Sequence, residues 1–350
     1  MKAFYHPDQA RHDPRQFMRL GVLAAPTDLP LRTTRLLEAL ARHGIAPEAP
    51  RNDGRAAAAR VHPDHYLAFL ETAYCRWRAL PQAGPEVLPN AAPYWNGAPD
   101  REARPPCPSP LVVAQACWYL GDGAVPIGPD THLSAFRSAA TAEAAAAHVA
   151  DGGGAAYALC RPSGHHARAD RASGFCYLNN AAIAAARLRE RFGRVAVLDV
   201  DAHHGDGTQE IFYRRDDVTT VSVHVDPAAY YPFFTGYPQE RGHGAGEGAN
   251  LNLPLAPGSG DEAFLAAAGR GLAAIRDAGV EALVLSLGYD AHERDPLGAL
   301  KVTTGAFGRL GAQVRAAGLP TVIVQEGGYA IDAIGGCLDA FLTGFGGDTA

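Results

Sequence analysis

The feature that most constrains this chain is an alternation in its second half. Five short apolar runs, at residues 156–160, 195–199, 218–223, 282–287 and 321–325, are separated by stretches patterned as helices. One such helix spans about 180–192, with asparagine at its start and Gly193 just past its end. Asp261 is read as capping an alanine-rich helix that ends at Gly279, and another helix covers 304–317. Nearer the N-terminus, 33–43 reads as a helix with Leu36, Leu37 and Leu40 on one stripe and Gly44 as its terminator. Strands joined through helices run parallel and need cover on both faces. The expected fold is a single α/β domain with a central, mostly parallel β-sheet flanked by helices on both sides.

With 350 residues, 47% of them hydrophobic, the chain can bury a large core. Its net charge of −6, with no run of Lys or Arg, argues against a nucleic-acid surface. The six cysteines (75, 107, 117, 160, 176 and 337) form no C-x-x-C pair, which fits reduced thiols and argues against a cysteine metal site. The N-terminus is too polar for a signal peptide and no apolar stretch approaches a membrane span, so a cytoplasmic protein with no membrane association is expected. Residues 81–110, crowded with Pro, Asn and Gly, read as a long surface excursion.

In an open parallel sheet, ligands bind outside the carboxyl ends of the strands. Here the polar clusters fall at four such ends. They are Arg161-Pro-Ser-Gly-His165-His166, Asp199-Val-Asp201-Ala-His203-His204-Gly-Asp206, Gly288-Tyr-Asp290 and Glu326-Gly-Gly-Tyr329. Asp201 and His203 stand two apart, so in extended backbone both side chains point the same way. With Asp290 they make a three-ligand O/N set suited to a catalytic zinc-type ion, with ferrous iron or cobalt as alternatives. One or both of His165 and His166 could move protons, with Asp199 and Asp206 available to fix their tautomers. Tyr329 has room to offer its hydroxyl to an oxyanion. The glycine-rich segment 242–248 precedes a strand-like 250–253 and opens no helix, so it is not a phosphate loop. His224 reads as structural.

These stretches together resemble the histone deacetylase family, and within it the bacterial acetylpolyamine amidohydrolases. The resemblance is carried by RPSGHHARADRASGFCYLNNAAIAA, LDVDAHHGDGTQ, SVHVDPAAYYPFFTG, LSLGYDAHERDPLG and VQEGGY. It implies an arginase-type α/β fold, zinc on Asp201, His203 and Asp290, catalytic His165 and His166 partnered by Asp199 and Asp206, and Tyr329 as the oxyanion donor. It implies Phe175 and Tyr231 as channel walls and Arg32 near an acetate exit path. It also implies a structural potassium ion at Asp199, Asp201, His203, Ser222 and Val223, and a second near Phe212, Arg215 and Val218. The expected partner is a small acetylated amine, the expected assembly a homodimer, and 81–110 the insertion loop that narrows the channel. One position departs from the pattern: Leu297 follows Asp295-Pro296, where a polyamine-specific branch carries a glutamate.

Three other readings compete. A two-metal ureohydrolase needs bridging carboxylates, and Gly288 stands where one would be wanted. A non-catalytic sensor of an acetylated metabolite would not need Tyr329 or the histidine pair. An acetyl-lysine deacetylase is compatible with Leu297.

Overall fold

The computed structural model describes residues 1–91 and 105–347. In chain order the strands are β1 (Lys2–Phe4), β2 (Phe17–Arg19), β3 (Val22–Ala24), β4 (Ala155–Ala158), β5 (Val195–Asp199), β6 (Val218–Val225), β7 (Asn250–Leu255), β8 (Ala282–Leu287) and β9 (Thr321–Gln325). The helices are α1 (Leu31–Arg42), α2 (Arg55–Ala58), α3 (Asp64–Arg78), α4 (Val112–Tyr119), α5 (Thr131–Ala150), α6 (Asn180–Leu188), α7 (Asp206–Phe212), α8 (Asp261–Asp277), α9 (Thr304–Ala316) and α10 (Ile334–Gly346).

Seven strands form one sheet in the order β1-β4-β9-β8-β5-β6-β7, and every pairing in it is parallel. The strands are buried on both faces, so they read as continuous apolar runs without polar alternation. Alternate residues nevertheless divide the core. Ala196 and Leu198 of β5, with Leu283 and Leu285 of β8, face α1, α8, α9 and α10. Val195, Val197, Ala282, Val284, Val322 and Val324 face α5, α6 and α7. A third layer packs α2, α3 and α4 against the far side of α5 through Leu67, Phe69, Phe136 and Ala139.

Several boundaries differ from the sequence reading, for local reasons. The β4 strand stops at Ala158, although Leu159 N–H still reaches Phe4 O at 3.0 Å. Helix α6 ends at Leu188, and turns carry the chain on to Phe192. Its cap is Asn179, whose side chain accepts from Ala182 N–H. Asp261 does not cap α8, since Gly260 holds that position. Its carboxylate instead accepts from the N–H and hydroxyl of Thr303, both at 2.7 Å, tying α8 to the start of α9. The short edge strand β1 and the β2–β3 hairpin were not read from the sequence. Of the proposed excursion at 81–110, residues 92–104 lie outside the described residues.

Chain order leaves β5 toward β6 and β7, then returns to β8 on the other side of β5. The crevice at such a reversal is where open parallel sheets bind ligands. The segments following β5 and β8 therefore open side by side, with Asp199 in register with Ser286.

Leu285 is fully buried at the centre of β8. Leu285→Ala is expected to destabilise the fold by about 2–5 kcal/mol in chemical denaturation. Catalytic-site spectroscopy of the folded protein should be unaltered, because the side chain faces the helices and not the strand ends.

Candidate active site

Four strand ends meet at one rim. The segment after β5 supplies Asp201 and His203, and the segment after β8 supplies Asp290. His203 Nδ1 lies 3.1 Å from Asp201 Oδ1 and 2.9 Å from Asp290 Oδ2. The other oxygen of each carboxylate is occupied by backbone: Asp201 Oδ2 accepts from Gly327 N–H at 2.8 Å and Asp290 Oδ1 from Ala202 N–H at 2.7 Å. Both aspartates are fully buried.

The three donor atoms lie within 4.8 Å of one another. Ligands about 2.0–2.1 Å from a tetrahedral ion sit about 3.3 Å apart, and the two sides of the triangle that meet at His203 Nδ1 are slightly shorter than that. Its electrostatics call for a cation. Burial and the neighbouring Asp201 carboxylate push Asp290 up to about 7. The histidine is driven the other way: burial disfavours its charge, yet Asp290 and Asp201 raise it to about 9. Two carboxylates sharing one imidazole proton are a poor substitute for a divalent ion. The residues present fit a metal of the zinc class, held by Asp201, His203 and Asp290.

Close approach explains the glycines around this triangle. A Cβ on Gly288 would fall 2.0 Å from Asp201 Oδ2, and one on Gly327 would fall 2.4 Å from Asp290 Oδ2. Gly288 therefore has no room for the carboxylate that a second metal would use.

The segment after β4 supplies the histidine pair, with ring centroids 4.0 Å apart. His165 Nδ1 is 2.9 Å from Asp199 Oδ2, and His166 Nδ1 is 2.7 Å from Asp206 Oδ1. Their environments separate them. Burial alone would lower His165, but Asp199 and Asp201 overcome it and hold the imidazole well above its usual value. Burial and the adjacent His165 charge pull His166 down to about 4 despite Asp206. Asp206 stays below the usual carboxylate range, because its bond to His166 and the charge of Arg168 outweigh burial.

Tyr329, after β9, is buried with its hydroxyl pushed well above the usual phenol value by desolvation. Its ring lies 5.7 Å from Phe175, and the Arg32 guanidinium sits 4.8 Å from its centroid. Tyr231 meets His166 edge-on at 5.0 Å. Phe175, Tyr231 and Tyr329 are therefore gathered around the histidines and the triangle. Leu297 is half-buried on the neighbouring loop, where its carbonyl accepts from the Tyr230 hydroxyl.

The other expected positions fall as follows. Ser222 pairs with Asp199 across β5 and β6, which brings Asp199, Ser222 and Val223 together, although the Ser222 hydroxyl is engaged with His224 Nδ1 at 2.8 Å. His224 also bonds Gly236 O, in keeping with a structural role. Phe212, Arg215 and Val218 share the turn from α7 into β6, where Arg215 N–H meets Phe212 O at 2.9 Å.

Several residues without a sequence role belong to the site. Glu326 Oε2 accepts from Gly164 and His165 N–H at 2.8 and 3.3 Å, and burial raises its carboxyl to about 7. Asp295 Oδ2 accepts from Tyr329 N–H at 2.6 Å and from Ala330 N–H at 3.1 Å. Tyr230 stacks on His203 at 4.7 Å. Asp28 lies between Arg32 and Arg161. All of these roles are tertiary contacts between distant loops, with Asp28 joined to Arg161 as well as to nearby Arg32.

A metal ligand must shed its proton, and His203 in the metal-free protein is protonated below about 9. At pH 7.5, zinc binding to metal-free protein is expected to release about one proton or more, and affinity should rise with pH up to that value. Calorimetry in buffers of different ionisation enthalpy measures this; proton-independent binding would remove His203 from the ligand set.

The sequence pattern of the histone deacetylase domain matches residues 27–345. An acetylpolyamine amidohydrolase of Burkholderia pseudomallei is 48% identical over 347 residues, covering 99% of each chain. Acetylpolyamine amidohydrolase 1 of Pseudomonas aeruginosa is 40% identical over 338 residues, covering 96% of each. The crystal structure of an acetylpolyamine aminohydrolase from Burkholderia pseudomallei superposes with a TM-score of 0.94 at 48% identity, over 99% of both chains. With seven parallel strands presenting this constellation at one rim, and with relatives matched from end to end, the chain belongs to the histone deacetylase family.

Proposed function

We propose that the protein hydrolyses the acetyl amide of small acetylated amines, acetylpolyamines foremost, using one zinc ion held by Asp201, His203 and Asp290. The observation that carries this reading is the pair of histidines, each backed by its own aspartate, facing the three-ligand triangle beside Tyr329. The full-length similarity to acetylpolyamine amidohydrolases supports the substrate class. Potassium at the β5–β6 site and a homodimeric assembly complete the proposal.

A zinc ion bound there supplies Lewis acidity that polarises the acetyl carbonyl and acidifies a neighbouring water. The remaining work falls to the chain. His166 keeps its proton on Nδ1, hydrogen-bonded to Asp206, so Nε2 is unprotonated and able to take a proton from the attacking water. As oxygen bonds to the carbonyl carbon, negative charge grows on the carbonyl oxygen. Tyr329, kept protonated by burial, donates its O–H there. His166 then passes its proton to the amine nitrogen as the C–N bond breaks, giving acetate and free amine. His165 lies beside His166, its ring oriented by the Nδ1 contact to Asp199, and lines the pocket where the acetyl group would sit.

Leu297, in place of a glutamate, favours a second reading: a deacetylase acting on acetyl-lysine in peptides. Rates on acetylputrescine, acetylspermidine and an acetyl-lysine peptide separate the two. The proposal expects kcat/KM highest on the polyamines, and a peptide preference would replace it with the second reading.

Tyr329→Phe is expected to lower kcat by about 100-fold or more with metal content unchanged. Full activity in that variant would remove the hydroxyl from the mechanism. His166→Ala should abolish turnover while leaving zinc bound, since His166 is not part of the ligand triangle. Metal analysis beside steady-state kinetics checks both.

A further inference from the structure

Asp122 lies on none of the strand ends. It sits in the segment between α4 and α5, yet its carboxylate reaches two loops that flank the histidines. Its Oδ1 accepts from Ala124 N–H at 2.8 Å. Its Oδ2 accepts from Gly174 N–H at 3.1 Å and from the Tyr231 hydroxyl at 2.7 Å. One oxygen atom thus joins the backbone that carries Phe175 to the side chain of Tyr231.

Those two rings come from different loops and pack against different members of the site. Phe175 lies 5.5 Å from Phe17 and 5.7 Å from Tyr329. Tyr231 lies 5.0 Å from His166 and 6.2 Å from His203. Phe175 has φ 66 and follows Gly174 at φ 52. A phenylalanine holds left-handed backbone only where its surroundings enforce it, and the Gly174 N–H bond lies immediately before it. On the other side, the bond from Tyr231 uses the one atom that distinguishes tyrosine from phenylalanine. Bonds to a carboxylate are shorter and stronger than neutral ones, so the two walls are joined through a stiff link.

We infer that Asp122 is a positioning residue that fixes the distance between the Phe175 and Tyr231 walls and thereby makes the channel a narrow slot selective for a slim acetylated methylene chain. This rests on the proposed deacetylase function and on those two rings lining its channel. Loosening the link lets the Tyr231 ring swing and the Gly174–Phe175 turn relax. A slim chain then loses contact on both faces, and a bulkier acyl group gains entry.

The test compares wild type with Asp122→Ala, Asp122→Asn, Tyr231→Phe and the Asp122→Ala/Tyr231→Phe double variant. Turnover is measured on acetylputrescine and butyrylputrescine, and amide hydrogen exchange on peptides spanning 172–177. Asp122→Ala and Tyr231→Phe are each expected to raise KM for acetylputrescine by about tenfold, with a smaller change in kcat. The double variant should be no worse than the worse single, since both remove one link. The preference for acetyl over butyryl should narrow. Exchange at 172–177 should speed up at least about tenfold in Asp122→Ala. Asp122→Asn, which keeps an acceptor oxygen, should fall between it and wild type.

Additive single effects, or unchanged exchange in Asp122→Ala, would overturn the inference. A wild type that turns over neither amine would defeat the proposed function instead, and the exchange measurement would still decide whether Asp122 holds the Phe175 wall.

Discussion

Two buried carboxylates aimed at one imidazole nitrogen are the arrangement on which the rest of this site depends. Asp201 and Asp290 approach His203 Nδ1 from different strand ends, and neither aspartate is exposed. Like charges this close oppose each other strongly in a medium that screens less than water. The fold offsets part of this with backbone dipoles, giving one N–H to the outer oxygen of each carboxylate. In the metal-free protein the raised pKa of His203 relieves part of the remainder, and a bound cation would relieve it more fully. The surrounding backbone is shaped to that purpose, since Gly288 and Gly327 pass where any side chain would strike a ligand oxygen. The His165 imidazole stands 3.8 Å from Asp201 Oδ1, at the edge of the triangle.

From this centre outward, each group is fixed by the next. Glu326 binds the backbone of the histidine loop. Asp295 binds the backbone under Tyr329. Tyr230 stacks on His203 and sends its hydroxyl to the Leu297 carbonyl. Positions that hold a ligand's partner in this manner orient the reacting groups as surely as the ligands do. The histidines show why such control matters. They are adjacent in sequence and each has an aspartate, yet their surroundings raise the pKa of one and lower that of the other. The difference lies in what stands behind them. His165 faces Asp199 and Asp201 together, whereas His166 faces Asp206, whose charge is already shared with Arg168.

Much of the fold could be read from the sequence because parallel strands buried on both faces leave an unmistakable mark, short apolar runs ending in turns. The seven-stranded sheet includes all five runs, and the polar clusters lie at their carboxyl ends as the parallel arrangement requires. The gathering of Asp201, His203 and Asp290 and of the histidine pair was legible for the same reason: their residues sit within a few positions of a strand end. Asp122, Asp28, Asp295 and Glu326 behave differently. What each does depends on which distant loop it meets, and no local pattern records that. Edge strand β1, with three residues, was too short to carry periodicity. Asp261 looked like a helix cap because it begins α8, but its carboxylate found the backbone of another helix start closer to hand.

The buried arginines show how far a residue's surroundings narrow its role. Arg32 gives Nε–H to Gly328 O at 2.5 Å, Nη2–H to Glu326 O at 2.6 Å, and an Nη1–H to Asp28. Arg161 contacts the same aspartate through Nε and reaches His12 O through Nη1. Burial would disfavour Asp28 as an anion, but the two guanidiniums hold it down at about 2. Three of the five N–H donors of a guanidinium are in this way committed for Arg32, two of them to the backbone that places Tyr329. Arg32 is therefore first a strut for the tyrosine loop. Its positive charge 4.8 Å from the phenol ring also favours negative charge gathering at the hydroxyl end of the site. The two donors left over could meet a departing carboxylate without dismantling that strut. An exit role for Arg32 is thus compatible with its structural one only because the guanidinium has more hydrogens than the loop needs.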